Sequence, residues 1–165
     1  MENYTGMGMG SVNRLWEVRL DPEDGGVCNG AYMLTTIGGT GTITDGGQTD
    51  CSGLVFPNTA RYYFWIRAKN PQYGNSTWVG VDGNEVGALT QDSNDWVWDD
   101  TVQGGTGSNN VEITAGTHSL TMRPREENQR TDGLLISTNP NAVSDNSRNP
   151  MPPAEFKVID PRQCQ

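Results

Sequence analysis

The run at residues 60–70 (ARYYFWIRAKN) constrains the fold of this chain more than any other segment. Side chains of a β-strand point alternately to its two faces, and in this run both faces carry large apolar or aromatic side chains. A strand that is apolar on both faces lies in the middle of a sheet, with protein on either side. We therefore expect a central strand, with one face formed by Tyr63, Trp65 and Arg67 and the other by Tyr62, Phe64, Ile66 and Ala68.

Short strands separated by turn residues account for most of the remaining sequence. The chain contains 21 glycines and 9 prolines, only 33% of its residues are hydrophobic, and helical periodicity is scarce. Short strands at this spacing predict an all-β fold, an antiparallel β-sandwich of the jelly-roll type. We expect 86–90 to be a weak edge strand and 99–110 to be a loop. The other predicted strands are 15–20, 31–37, 54–56, 77–83, 96–98, 111–114, 115–124 and 131–138.

The predicted sandwich domain covers residues 14–138. Residues 1–13 are polar and Gly-rich and predict a flexible lead-in without a signal-peptide pattern. Residues 139–165 are rich in Pro and Asn and predict a tail or linker, in which 156–160 can form one last strand. We expect either a mature module of a longer secreted protein or a cytosolic protein, and favour the secreted, extracellular location.

The charge of the chain excludes two classes of partner. Its net charge of −9 disfavours nucleic acid, because neutralising phosphates requires clustered Lys and Arg. The same charge disfavours an anionic membrane surface, and the sequence has no apolar run long enough to insert into a bilayer. An acidic, polar surface of this kind is compatible with calcium binding.

Three cysteines allow one disulfide within the chain. Cys28 and Cys51 flank a Gly- and Thr-rich segment, and we favour this pair; Cys164 would then be free or paired outside the domain. Closing a loop of this length stabilises the fold by roughly 3–4 kcal/mol in the chain-entropy model. Such a bond would imply an oxidising compartment.

Five sequence blocks, YYFWIRAKNP, WVGVDG, the W-x-W of 96–98, AGTHSLTMRPRE and TDGLLIST, resemble a known family. They are similar to non-catalytic carbohydrate-binding modules of the galactose-binding-like, family-6/35-like β-sandwich type, over about residues 54–140. The resemblance implies two antiparallel sheets, ligand-binding loops at one end and often a structural Ca²⁺. It implies Glu17 and Asp132 as metal ligands, although Arg19 stands where the family carries a second Glu.

Tryptophan side chains are the predicted platforms for a sugar ring, since the C–H faces of sugars stack on aromatic rings. The candidates are Trp78, Trp96 and Trp98, with Trp96 nearest to a polar loop. The alternative for each is a place in the hydrophobic core, which is where we expect Trp16 and Trp65.

Polar side chains on loops are the predicted partners of the sugar hydroxyls. Asp82 and Asn84 belong to an Asp-Gly-Asn turn, and turn formation alone would also explain them. Arg125, Glu126 and Asn128 belong to a charged hairpin tip, a pattern that is most often only solvated.

These features predict a protein that binds polysaccharide or oligosaccharide and is not an enzyme. His118 is the single histidine and alternates with Leu120 on a strand, so we expect it to be packed rather than catalytic. We expect fusion to a catalytic or adhesive domain, which the module would target to its substrate. Two alternatives remain: a structural or adhesive cell-surface module without a sugar site, and a small polysaccharide lyase or hydrolase with a carboxylate pair in a cleft.

Overall fold

The computed structural model describes residues 16–20, 31–35, 49–70, 76–126, 130–143 and 157–159, and every regular element in these ranges is a β-strand. All of the strand pairs are antiparallel, which confirms the predicted all-β sandwich. No element within these ranges is a helix able to span a membrane. The strands are β1 (Trp16–Leu20), β2 (Ala31–Thr35), β3 (Thr49–Phe56), β4 (Ala60–Lys69), β5 (Ser76–Val81), β6 (Asn84–Thr90), β7 (Val97–Asp99), β8 (Val102–Gly107), β9 (Asn110–Ile113), β10 (Gly116–Pro124), β11 (Arg130–Ser137) and β12 (Lys157–Ile159).

The strands form two sheets. A five-stranded sheet has the order β3–β10–β5–β6–β8. A seven-stranded sheet follows the order β1–β2–β11–β4–β7, with β12 also paired to β11 and β9 also paired to β4. The last strand predicted near 156–160 is therefore present as β12, and it adds to the sheet of the sandwich.

Strand β4 has an apolar environment on both faces, as its sequence predicts. Tyr62, Phe64, Ile66 and Ala68 belong to the core cluster, which also takes Leu120 and Met122 from the other sheet. The opposite face of β4 forms a second, smaller cluster: Trp65 packs with Trp98 and Leu135, and Tyr63, Ala142 and Val143 pack against these three.

The structure differs from the sequence prediction at β6 and β8. Strand β6 is an interior strand rather than an edge, because β8 pairs with it from a segment predicted to be a loop. The sequence of β8, VQGGTG, has no apolar alternation and therefore gave no strand signal. Its pairing depends on close backbone approach: a Cβ at Gly107, whose φ is 96°, would lie 2.2 Å from the Val86 carbonyl oxygen.

Cys51, the third residue of β3, is buried and forms a disulfide. Cys28 and Cys164 both lie outside the described residues, so the pairing of Cys51 with Cys28 stays a prediction.

Candidate functional site

Strand β5 places the predicted ligand-binding residues at two opposite ends of the sandwich. At its first residue, Ser76, the carbonyl oxygen accepts a hydrogen bond from the Arg125 backbone N–H at 3.1 Å. At its other end the chain turns through Asp82 and Gly83 into β6. Six residues of strand span about 20 Å, so Arg125 and Asp82 cannot contact the same small ligand.

The Asp82–Gly83 turn is the tight hairpin turn that its sequence predicts. Asp82 has a φ of 50° and Gly83 a φ of 77°, and positive φ at both positions is the type I′ geometry that matches the twist of a hairpin. Asn84 then starts β6 with an exposed side chain, and its Nδ2 donates to the Asp82 carbonyl oxygen at 3.3 Å. Asp82 and Asn84 therefore form the turn and are also exposed at this end of the sandwich.

Both carboxylate oxygens of Asp82 are bonded to β10. Oδ2 lies 2.6 Å from His118 Nδ1, and Oδ1 accepts from the Ser119 backbone N–H at 2.8 Å and from the Ser119 hydroxyl at 3.3 Å. The other ring nitrogen of His118, Nε2, lies 3.0 Å from the Thr114 carbonyl oxygen and 3.4 Å from the Thr114 hydroxyl. The edge of the Phe56 ring packs against the imidazole, with centroids 5.5 Å apart.

These contacts shift the acidity of both partners. The hydrogen bond to Asp82 raises the pKa of His118 above its ordinary value. The Ser119 N–H, followed by the His118 side chain, lowers the pKa of Asp82. Burial raises the pKa of the neighbouring Glu85.

A cleft of about 220 Å³ opens beside this pair, between the β5–β6 turn and the β9–β10 turn. We call it the rim cleft. It combines apolar side chains from the edge of the core with polar side chains that can exchange hydrogen bonds. The apolar lining is Val81, Val86, Val111 and Ile113, and the polar lining is Asp82, Asn84, Glu85, Glu112, Thr114 and His118.

The opposite end of β5 brings together three other predicted residues, Trp78, Arg125 and Glu126. The Arg125 guanidinium carbon lies 5.8 Å from the centre of the Trp78 ring, and its Nη1 donates to Glu126 Oε1 at 2.5 Å. The same nitrogen donates to Gln103 Oε1 at 2.6 Å and to Ser76 Oγ at 3.1 Å. Trp78 is only 8% exposed, and the Arg125 guanidinium lies over its ring. Asn128 lies outside the described residues.

The structure places Trp96 and Trp98 in the interior. They are 4% and 0% exposed, Trp98 packs in the second cluster, and the Trp96 ring lies under the Arg67 guanidinium at 5.6 Å. A ligand role for either ring would require neighbouring side chains to move, since neither offers a free face.

Asp132, the second predicted metal ligand, pairs with Arg67, and both side chains are fully buried. A guanidinium against this carboxylate opposes a second cation, so Asp132 does not fit a Ca²⁺ ligand in this arrangement. The Glu17 side chain lies outside the described residues. Among the residues described, no group of three or more His, Cys, Asp or Glu side chains is arranged to hold a metal. Calcium binding stays a prediction.

The sequence predicts that His118 is a packed strand residue rather than a catalytic one. It lies in a strand with 14% of its side chain exposed, as a packed residue would, but it also pairs with Asp82 across 36 positions of sequence. Only the register of β10 against β5, which pairs Leu120 with Val81, places the two side chains together. No local sequence pattern carries that information.

Comparison with known proteins gives similarity of fold only. No family model matches the chain, and no curated protein matches it. A Paenibacillus cycloisomaltooligosaccharide glucanotransferase, in complex with cycloisomaltoheptaose, is similar with a TM-score of 0.49 and 17% identity over 81% of this chain and 18% of that one. The CBM22-1–GH10 modules of Clostridium thermocellum xylanase 10B, in complex with xylohexaose, are similar with a TM-score of 0.39 and 15% identity over 85% of this chain and 28% of that one. This chain thus spans less than a third of either neighbour, and both similarities are too low to place a ligand in it.

Proposed function

We propose that this chain is a non-catalytic carbohydrate-binding β-sandwich that takes a polysaccharide or oligosaccharide in its rim cleft. One observation carries the proposal: a concave site of about 220 Å³ combines an apolar lining with several hydrogen-bonding side chains. Ligand sites of proteins generally have this composition, in which apolar surface supplies contact and a few polar groups supply orientation. A sugar ring matches it, because its C–H faces are apolar and its edges carry hydroxyls.

In this proposal the rim cleft recognises sugar without a tryptophan platform. Val111 and the His118 ring, both half-buried in the cleft lining, offer apolar surface to the C–H face of the ring. Asn84 can both donate to and accept from hydroxyls, and the Glu112 carboxylate accepts from them. Because the cleft is small and open, we expect modest affinity for one site, with avidity supplied by repeated modules or repeated sugar units.

The bonding of Asp82 and His118 favours binding over catalysis. A general base needs an unoccupied nitrogen or oxygen within reach of the proton that it abstracts. Both nitrogens of His118 face protein acceptors, and both oxygens of Asp82 accept protein hydrogen bonds. The hydrogen bonds of the pair therefore serve to hold the β5–β6 turn and the β9–β10 turn together.

The wider context is also a proposal. The disulfide at Cys51 supports a secreted, extracellular location, since such bonds persist in oxidising compartments. A binding module of this size acts by targeting a larger assembly, so we propose that a catalytic or adhesive domain is its partner in the same chain. The net charge of −9 supports the exclusion of nucleic acid.

Retention of the protein by polysaccharides in affinity gels, followed by a glycan array, tests the proposal. We expect retention by at least one plant or algal polysaccharide, and Asn84→Ala should weaken it by about tenfold, the effect of losing one good hydrogen bond. Asn94→Ala is the matched control, because Asn94 is an exposed asparagine in the loop at the opposite end of the sandwich. It should leave retention unchanged.

Three outcomes would contradict the proposal. Absence of retention by every glycan would favour a structural or adhesive module. Retention that survives Asn84→Ala but is lost in Arg125→Ala would move the site to the Trp78–Arg125–Glu126 end. Measurable cleavage of a retained polysaccharide would make the protein an enzyme.

A further inference from the structure

Each ring nitrogen of His118 makes its shorter contact with a group that only accepts hydrogen bonds. Nδ1 lies 2.6 Å from a carboxylate oxygen of Asp82, and Nε2 lies 3.0 Å from the main-chain carbonyl oxygen of Thr114. A neutral imidazole carries one N–H and one bare nitrogen, whereas the imidazolium carries an N–H at both positions. The two shorter contacts are therefore both hydrogen bonds only when His118 is protonated.

We propose that His118 is a positioning residue for the rim cleft, whose proton ties one wall of the cleft to the other and makes ligand binding depend on pH. Its ring joins the β5–β6 turn, through Asp82, to the β9–β10 turn, through Thr114. Asp82 and Thr114 both line the cleft, so the two turns form two of its walls. The inference deepens the proposed function and rests on it for its ligand, but the protonated bridge is a property of the free protein.

When His118 loses its second ring proton, the hydrogen bond to Thr114 is lost, whereas the hydrogen bond to Asp82 remains. The remaining N–H stays with the carboxylate, since a hydrogen bond to a charged acceptor is stronger than one to a carbonyl. The bare Nε2 then faces the Thr114 carbonyl oxygen, and both atoms carry lone pairs. The turn can relieve this contact by rotating until the Thr114 hydroxyl, now 3.4 Å away, donates to Nε2. The far side of the turn stays anchored, because the Ala115 N–H donates to Thr59 Oγ1 at 2.9 Å.

The charges around the bridge support its protonated form. Asp82 in the β5–β6 turn, Glu85 on β6 and Glu112 on β9 line the same cleft as His118. The nearest cationic side chain by strand register is the exposed Arg61 of β4, which lies opposite Glu112. Three carboxylates thus line the same cleft as the imidazole, and Asp82, whose Oδ2 lies 2.6 Å from Nδ1, favours the charged ring.

The pH window of the bridge follows from these partners. Asp82 raises the pKa of His118, so the bridge forms fully below about pH 6.5, the ordinary value, and is lost as the pH rises through the higher folded value. The pKa of Asp82 is lowered, chiefly by the Ser119 N–H, so its carboxylate is lost only in strong acid, below about pH 3.9. Binding should be greatest between these limits, with His118 responsible for the alkaline decline.

Ring ¹⁵N NMR of the free protein tests the bridge directly, because His118 is the single histidine of the chain and its signals need no assignment by mutation. At pH 6 we expect N–H protons on both ring nitrogens and a titration midpoint above that of an ordinary histidine. The amides of Thr114, Gly116 and Gly83 should shift with the same midpoint. Asp82→Asn should lower the midpoint, whereas Asp92→Asn, an exposed aspartate at the opposite end, should not. A His118 titration midpoint at or below that of an ordinary histidine would overturn the bridge. Turn amides whose shifts do not follow the His118 midpoint would also overturn it.

Binding as a function of pH tests the positioning role. The probes are xylohexaose, cellohexaose and the polysaccharides retained in the gels, titrated by calorimetry between pH 5 and pH 9. We expect the Kd of a retained probe to rise about fivefold or more through the His118 midpoint, and His118→Gln to abolish this step. A step that persists in His118→Gln, or a ring that titrates while the Kd stays constant, would refute the coupling. If no probe binds at any pH, the proposed function fails, while the NMR result still decides whether the bridge exists.

Discussion

Two carboxylate–cation pairs in this sandwich have opposite surroundings. Arg67 and Asp132 pair on β4 and β11 with both side chains fully buried. His118 and Asp82 pair at the rim with side chains 14% and 47% exposed. The buried pair has no access to ligand or solvent, whereas the rim pair borders a cleft and can exchange its proton. The comparison separates residues that hold the fold from residues that are available for function.

The buried pair is built into the sheet by a local irregularity. Asp132 is an extra residue in β11, because the register with β4 steps from Thr131 opposite Ala68 to Gly133 opposite Arg67. The Trp96 ring lies under the Arg67 guanidinium. The rim pair instead contains an imidazole, the side chain whose charge changes nearest to neutral pH.

Removing one partner of the buried pair should have the largest effect on stability. Asp132→Ala leaves the Arg67 guanidinium buried without its carboxylate, and we expect the free energy of unfolding to fall by about 3–5 kcal/mol. Urea denaturation measures this change. Asp92→Ala, at an exposed aspartate, is the control and should change stability by no more than about 0.5 kcal/mol. A loss below about 1 kcal/mol in Asp132→Ala would show that the buried pair does not support the fold.

A methyl group at Gly133 should have an intermediate effect. Its Cβ would lie 3.0 Å from the Trp98 ring and 3.4 Å from the Arg67 side chain, so Gly133→Ala crowds the second cluster. Overpacking of this kind costs about 1–3 kcal/mol. Gly53→Ala is an informative comparison in thermal unfolding: nothing lies near its Cβ, and its cost arises from a φ of 74° alone. Unchanged stability in Gly133→Ala would mean that the cluster is loosely packed.

Breaking the rim pair should have the smallest effect on stability and the largest on its pH dependence. In the native protein, stability should decline as the pH rises through the folded pKa of His118, because the folded state binds that proton more tightly than the unfolded chain does. Asp82→Asn should remove most of this decline while lowering stability at pH 6 far less than Asp132→Ala does. Urea denaturation at pH 6 and pH 8.5 compares the two variants. If the free energy of unfolding depends on pH equally in Asp82→Asn and in the native protein, the pH dependence does not arise from the contact between His118 and Asp82.

The fold was largely predictable because its signals are local. The alternation in β4, with Tyr62 and Phe64 on one face and Trp65 on the other, predicts a strand that is covered on both faces, and the structure has a cluster on each. The Asp82–Gly83 turn was predictable for the same reason, since two adjacent residues determine its geometry. Strand β8 was missed because its glycines carry no apolar pattern and one of them, Gly107, packs by close backbone approach to Val86.

The site was less predictable, because its residues meet only through long-range register. Asp82 and Asn84 were identified from a turn, but their neighbours Glu112 and His118 come from other strands. The tryptophans were ambiguous in the sequence, because large aromatic rings serve both sugar stacking and core packing, and sequence alone does not distinguish the two roles. In the described structure Trp65, Trp96 and Trp98 are interior, and Trp78, over which the Arg125 guanidinium lies, is only 8% exposed.

Mapping ligand contacts by NMR tests the central claim most directly. Backbone amide and tryptophan indole signals would be followed while a retained oligosaccharide is added to the protein at pH 6. We predict that amides of Asn84, Glu112 and Thr114 and the ring signals of His118 shift in a saturable way, while the Trp78 indole N–H stays constant. Saturable shifts at Trp78 and Arg125, with unchanged signals from the residues of the rim cleft, would contradict the account. The absence of shifts with any glycan would also contradict it.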